Sequence, residues 1–575
     1  MSDIVPLKQL NDVYAREALD QLPRLLSMID RNAYSQTFGC GDRMFWLDKA
    51  IDFPSSIYQY GVHALALVYT YSYVNNPFYR QPKIRDWAFA MMRYWQKIQN
   101  KDGSFDEFYP NEHGWAGPTG FLLHAMMGSF ELLSDEMDPE FKKSFLATCR
   151  NAAIFLSTYD EHGILANHHA MALLPIYHYS HVTGDRTVLS NFGAKLDFFL
   201  SLQSKEGWYL EYDGADMGYL SASISFMSKL SHFMTGIEVD KAWKEKIDSS
   251  IEKAIEFAKY FVYPNGYYGG TMGSRQTLHF YPHGFEQWAG KNPVAARMAE
   301  FMRMGLEKGS LVSPRIMPGR YLAYRINEFL VSSIDCHNVR STVKLPWEEK
   351  PFTRFFPEAG IWIRNGPHFY ALINFSKGGV IKVFSKPSGK LTINDCGIRL
   401  LDEKGNQGSS QWIDPKSQKT VDTSILHAKG RIHRIVNELP TPSKMIVLRS
   451  ILLTIGSNTS AAYRIKGKIR ERIILKNKPL SIPYSRKIHF EDNVCEIIDT
   501  LNTVDFHSSI MRLTLGDEFS VRYVPQSLYF QEPELESHAF ECPHGILEKL
   551  NREKKISISR QYNIQTGRLI EASHD

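Results

Sequence analysis

The apolar positions of the N-terminal half fall into long helical stretches whose beginnings are regularly spaced. Gly61 opens GVHALALVY, Pro118 opens PTGFLLHAMMG, Asn167 opens NHHAMALLPIY and Gly218 opens GYLSASISFM. The steps between them are 57, 49 and 51 residues, a period that predicts stacked helical hairpins. If one helix of each hairpin lines the inside of a ring, these starts converge on one mouth. Polar residues at such starts, above all Asn167 and His168, become candidates for a site.

A second repeat concerns the outer helices. YWQKIQNKDGSF (94–105) is echoed by FFLSLQSKEGWY (198–209), with Gln99 and Gln203 104 residues apart, or two hairpin periods. Each reads as a helix ending in a polar turn, with Gly103 or Gly207 where a left-handed cap is needed. Tyr263-Pro264-Asn265-Gly266 is a weaker third turn. Pro175, inside the third inner stretch, predicts a kink or an early end there.

After Pro346 the texture changes. AGIWIR (359–364), FYALIN (369–374) and GVIKVF (379–384) are short β-branched and aromatic runs between turn residues. KMIVLRSILLT (444–454) and SIMRLTL (509–515) read as further strands. The prediction is a multidomain α+β chain: an (α/α) helical toroid over 1–345, then an antiparallel β-sandwich over 346–575.

Composition narrows the function. The 575 residues exceed one ordinary core. No run of eighteen apolar residues offers a membrane span. The N-terminus lacks a basic region followed by an apolar core, so the expected compartment is the cytoplasm, with release by another route as the alternative. Six cysteines are scattered without a CxxC pair, as isolated thiols would be. A net charge of +5 gives no reason to expect nucleic acid. The histidines at 113, 124, 168, 169, 178 and 181 form no metal-ligand spacing, and there is no GxSxG elbow, P-loop or dinucleotide fingerprint. Neither metal nor cofactor is expected. Aromatic residues make up 13% of the chain and suit sugar faces, which points to a carbohydrate partner.

Three patches carry a resemblance: DGSFDEFYPNE (102–112), Asn167-His168, and GSRQTLHFYPHGFE (273–286). Within the toroid-then-sandwich outline they resemble the heparinase II/III-like and alginate-lyase-like polysaccharide lyases. The resemblance implies β-elimination at a uronic acid, with an acidic poly- or oligosaccharide as partner. A base removes the proton beside the carboxylate, and the glycosidic oxygen on the next carbon departs. Charge developing on the carboxylate must be stabilised by donors, a task that suits an amide and an imidazole at a helix start. The resemblance gives Asn167 and His168 this role or one in proton transfer. It makes a tyrosine the acid, and often also the base, with Tyr219 and Tyr281 as the two candidates. A phenol has an ordinary pKa of about 10, so a tyrosine base requires a lowered pKa or a relay. Arg275, Glu112, His113 and Trp115 are expected to line the cleft. Related lyases also bring a histidine from the β-domain. The corresponding stretch here, 384–395, has none, so either His279 or His283 takes its place or the activity differs or is absent. Two rivals stand beside this reading. One is a glycoside hydrolase using Asp213, Asp216 and Glu112 as paired carboxylates. The other is a non-catalytic carbohydrate-binding protein.

Overall fold

The computed structural model describes residues 12–113, 116–159, 165–336, 341–414, 417–421, 426–435, 439–470, 478–491, 493–516, 529, 535 and 539–575. Six inner helices close a ring: Val62–Thr70, Ala116–Leu133, Ala166–Thr183, Met217–Phe233, His283–Trp288 and Gly319–Ile334, the last packing back on the first. Outside them lie Pro82–Lys97, Pro139–Thr158, Lys241–Ala258 and Pro293–Glu307. The division follows the side chains. Every residue from Val62 to Tyr69 is buried, whereas the 241–258 helix buries one face and exposes the other. The inner helices start within two residues of the positions read from the repeat.

The outer repeat has one physical cause. Gln99 Nε2 donates to Gly103 O at 3.1 Å and to Thr148 O at 3.0 Å. Its counterpart Gln203 donates to Gly207 O at 3.0 Å and to Ser250 O at 2.8 Å. Each glutamine thus ties its turn to the next outer helix. Gly103 and Gly207 sit at φ +90 and +107, and a Cβ there would stand 2.3 Å from Asn151 O and 2.2 Å from Lys253 O. Both conformation and close approach require glycine.

One sequence expectation fails and another loses one of its two forms, the early end at Pro175. The 166–183 helix runs through Pro175 without ending. Proline withholds the N–H that Met171 O would otherwise receive. Gly120 of the neighbouring helix closes on that oxygen, and a Cβ there would be 2.4 Å from it. The 444–454 run is a helix, Pro442–Leu453, not a strand. Pro442 opens it, and Thr441 Oγ1 accepts the Lys444 N–H at 3.4 Å. An apolar run of that length does not distinguish helix from buried strand by period. With Thr459–Arg470 it forms a helical insertion resting on the toroid rim, where Asn111 Nδ2 donates to Leu452 O at 3.0 Å.

Among its described residues the β-region holds two antiparallel sheets. Five strands from Phe352–Phe356 to Leu391–Asp395 form a meander, and ten more form a larger sheet. Ile373, Ile381 and Val383 of the first pack on Leu426, Ile488 and Ile497 of the second. The meander also props the toroid. Lys377 Nζ donates to Thr271 O at 3.0 Å and Gly273 O at 2.7 Å, and Asn374 Nδ2 donates to Met272 O at 2.7 Å. That fixes the segment leading to Arg275. Among the described residues no helix is long and apolar enough to cross a membrane.

Candidate active site

The starts of the inner helices meet at one mouth, as the repeat requires. Asn167 occupies the first turn of the 166–183 helix and is buried. It does not cap that helix, because the N-cap is Leu165. Glu211 holds it instead: the Asn167 backbone N–H donates to Oε1 at 2.7 Å, and Nδ2 lies 3.0 Å from both carboxyl oxygens. Glu211 therefore sits where a helix N-terminus favours an acceptor. Burial nevertheless pushes its pKa up to about 8, beyond what the Asn167 hydrogen bonds can offset, with Asp216 adding to the rise. At neutral pH it is mostly a protonated acid. His168 follows, half-buried. Its Cε1 would be 3.3 Å from a Cβ on Gly117, so glycine there leaves room for the imidazole.

Asp216 caps the next inner helix and joins two segments. Its Oδ1 accepts the Tyr219 N–H at 3.2 Å and its Oδ2 accepts the Arg275 N–H at 2.9 Å, while Thr277 Oγ1 also donates to it. Tyr219 is thereby placed beside the irregular 276–282 segment. Its ring stands edge-on to His279 at 5.4 Å between centroids, and His279 stands edge-on to Tyr281 at the same distance. The Arg275 guanidinium covers the Tyr212 ring at 3.9 Å, and Arg325 covers Tyr281 at 3.9 Å.

These environments separate acids from a base. Burial raises Tyr219 well above the ordinary tyrosine value, and it raises Tyr281 to about 12 even with Arg325 opposing. Burial, then the Arg325 charge, holds His279 well below the ordinary histidine value. Neither ring nitrogen of His279 has a hydrogen-bond partner among the described residues. Burial thus favours the uncharged form of all three rings, protonated phenols beside a neutral imidazole. Tyr219 is half-buried, whereas Tyr281 and His279 are buried. Beyond Tyr281, Phe226, Phe121, Tyr324 and Tyr60 continue as an aromatic wall with centroid spacings of 5.5 to 6.1 Å.

The other sequence candidates make different contacts. Glu112 Oε2 accepts the Glu107 and Phe108 N–H groups, both at 2.9 Å. His113 is spanned between Asp102 Oδ2 at 2.9 Å and Gly456 O at 3.1 Å, bracing the rim loop against the helical insertion. His283 faces the opposite end of the toroid, where Nε2 meets Asp335 Oδ2 at 2.6 Å. Trp115 lies outside the described residues. Among those residues no group of three His, Cys, Asp or Glu could hold a metal ion.

No family model matches the chain, and no curated protein matches it by sequence. Solved structures do match. The chondroitin AC lyase of Streptomyces coelicolor A3, in complex with chondroitin sulphate, aligns with 87% of this chain and 68% of its own. The TM-score is 0.52 at 10% identity. A heparinase III structure aligns over 89% of this chain and 73% of its own, with TM-score 0.50 at 11% identity. The fold is that of the heparinase III-like polysaccharide lyases.

Within this lyase fold, two site residues were not singled out from the sequence. Glu211 had a signal in the repeat. It stands four residues after Gly207, as Glu107 stands four after Gly103. Glu107 pairs with Arg320 at the mouth while Glu211 holds Asn167. Arg325 had no comparable signal, standing in YLAYRINEFLV close to the polar Asn327 and Glu328. It is fully buried, and its Nε and Nη1 have no partner among the described residues.

Proposed function

We propose that the protein is a polysaccharide lyase that cleaves a uronate-containing glycan by β-elimination. The observation carrying this reading is the convergence at the helix starts of Asn167 held by Glu211, Tyr219 and Arg275 tied together through Asp216, and His279 edge-on to Tyr219. The uronate carboxylate is received by Asn167, His168 and Arg275. With Glu211 protonated, the Asn167 amide turns to accept the carboxyl O–H at Oδ1 and presents Nδ2 to the substrate. As the bond to the proton beside the carboxylate breaks, its electron pair spreads onto the carboxylate, where these donors meet it. His279 accepts the proton. The electron pair then forms the new carbon–carbon double bond and expels the glycosidic oxygen, which takes the Tyr219 phenolic proton. No water is consumed.

Two of the three carboxylates considered for a hydrolase are engaged otherwise, Asp216 as a helix cap and Glu112 by two backbone N–H groups. The deciding experiment is digestion of acidic glycans in heavy-oxygen water, followed by mass spectrometry. Elimination yields fragments whose masses sum to that of the substrate, with no heavy oxygen in the newly formed ends. Fragments heavier by one water and carrying the label would establish hydrolysis.

A further inference from the structure

The helical insertion on the toroid rim turns apolar side chains outward. In the helix Pro442–Leu453 only Leu452 is buried, with Leu448 and Ile451 half-buried near it. Ile446 is 67% exposed and Leu453 57%, and Met445 and Val447 are exposed as well. The turn that follows adds Ile455, 59% exposed. A helix that is apolar on all sides is ordinarily buried. A cluster of exposed aliphatic side chains therefore marks a surface that something else covers.

Charge narrows what that cover is. From Leu439 to Arg470 the chain has six lysines and arginines and no aspartate or glutamate. Two of the six fasten the insertion to the toroid. Arg449 meets Asp52 Oδ1 at 2.8 Å and lies over the Phe53 ring at 5.3 Å, and buried Lys466 lies over the Tyr159 ring at 5.6 Å. Lys444, Arg464 and Lys468 are exposed, the last two one turn apart on the same side of the helix Thr459–Arg470. The insertion thus joins outward aliphatic side chains to a net positive charge.

Other covers fit this combination less well. A symmetric contact with a second copy would set like charges against each other. Sugar faces pack on aromatic rings. Among the described residues of the insertion no exposed large apolar side chain is aromatic, and Tyr463 is turned onto Tyr159 at 5.5 Å between centroids. An anionic bilayer offers both an apolar layer for the aliphatic side chains and phosphate charge for the cations.

We propose that the 442–470 insertion docks the protein on an anionic phospholipid surface. Ile446, Leu453 and Ile455 enter the headgroup layer, and Lys444, Arg464 and Lys468 meet the lipid phosphates. The contact is peripheral and needs no membrane-spanning segment. Asn111 and His113 tie the insertion to the loop leading into the 116–133 helix, so docking holds the toroid mouth beside the bilayer. The proposal rests on this surface alone and does not depend on the lyase reading.

The test is flotation of the full chain with phosphatidylcholine vesicles, with and without about 30 mol% phosphatidylglycerol. The expected result is binding to the anionic vesicles, weakened about tenfold or more at high salt, which screens surface charge. Ile446→Ser with Leu453→Ser, and separately Arg464→Glu with Lys468→Glu, should each weaken it about tenfold or more. No binding to anionic vesicles, equal binding to neutral ones, or binding undiminished in both variants overturns the proposal. So does a concentration-dependent dimer that Ile446→Ser with Leu453→Ser abolishes, which would make a second copy the cover. If either variant fails to fold, wild type decides. Anionic vesicles should slow the peroxide oxidation of Met445 about fivefold or more, read by mass spectrometry, and an unchanged rate refutes the docking.

Discussion

The molecule buries charge in two places and treats it differently. In the β-sandwich, Arg486 and Arg560 face Asp395 and Asp499, all with 3% side-chain exposure or less. Arg486 contacts Asp395 at 2.6 Å and Asp499 at 2.7 Å, and Arg560 contacts the same pair at 2.9 and 2.6 Å. Burial alone would raise Asp395, but the two guanidiniums hold it below the ordinary carboxylate range. Charges there balance two against two, and the cluster locks the strands together. At the mouth, burial wins: Glu211 rises to about 8, Tyr281 to about 12, and His279 falls without a hydrogen-bond partner among the described residues. A matched cluster stabilises a fold. An unmatched one keeps groups in protonation states that a reaction can use.

That contrast is breakable by mutation. Tyr219→Phe removes the acid and is expected to lower kcat by about 10²–10⁴-fold with an unchanged melting temperature. A substrate with a better leaving group than a sugar should restore most of the loss, whereas it should not rescue His279→Gln. Steady-state kinetics on the two substrates makes the distinction. Arg486→Met should do the opposite. Breaking a buried ion pair costs about 3–5 kcal/mol, read from chemical denaturation, while kcat per folded molecule stays at the wild-type value.

Asn167→Ala should lower turnover by about 10²–10³-fold, the range for removing one donor to developing negative charge. The smallest effect is expected from Glu211→Gln. The folded-state value of Glu211 lies above its unfolded value of about 4.3, so its stabilising contribution is complete below that value. It disappears as pH rises through about 8. The variant should therefore melt like wild type at about pH 4 and higher than wild type at about pH 9. It should also lose the alkaline limb of the pH–rate profile. Equal melting temperatures at both pH values would show that the carboxyl is not kept protonated.

The sequence disclosed the helical ring well because a repeat is a long-range signal: helix starts and Gln–Gly turns recur wherever the same packing recurs. It put Asn167 and Tyr219 at one mouth for that reason, since both stand at repeat-related helix starts, whereas the 273–286 segment drew attention through its resemblance and its many polar side chains. It was weaker where a contact depends on the fold rather than on the period. Spacing along the chain does not show that His283 turns toward Asp335, at the far end from Tyr281 two residues earlier. Nor does it show that His113 serves as a brace between Asp102 and Gly456. Glu211 was legible in principle from its repeat partner Glu107, but its role needed the 2.7 Å contact to the Asn167 N–H. The 442–453 helix was misread because its cap, Thr441, lies three residues before the apolar run that suggested a strand.

The most direct measurement is ultraviolet absorbance during incubation with a panel of acidic glycans and their oligomers, run in parallel with a reducing-end assay. Elimination creates a double bond conjugated to the carboxylate. The account predicts absorbance rising in step with new ends for wild type, and no rise for Asn167→Ala or Tyr219→Phe. New reducing ends without absorbance, or absorbance undiminished in both variants, would contradict it.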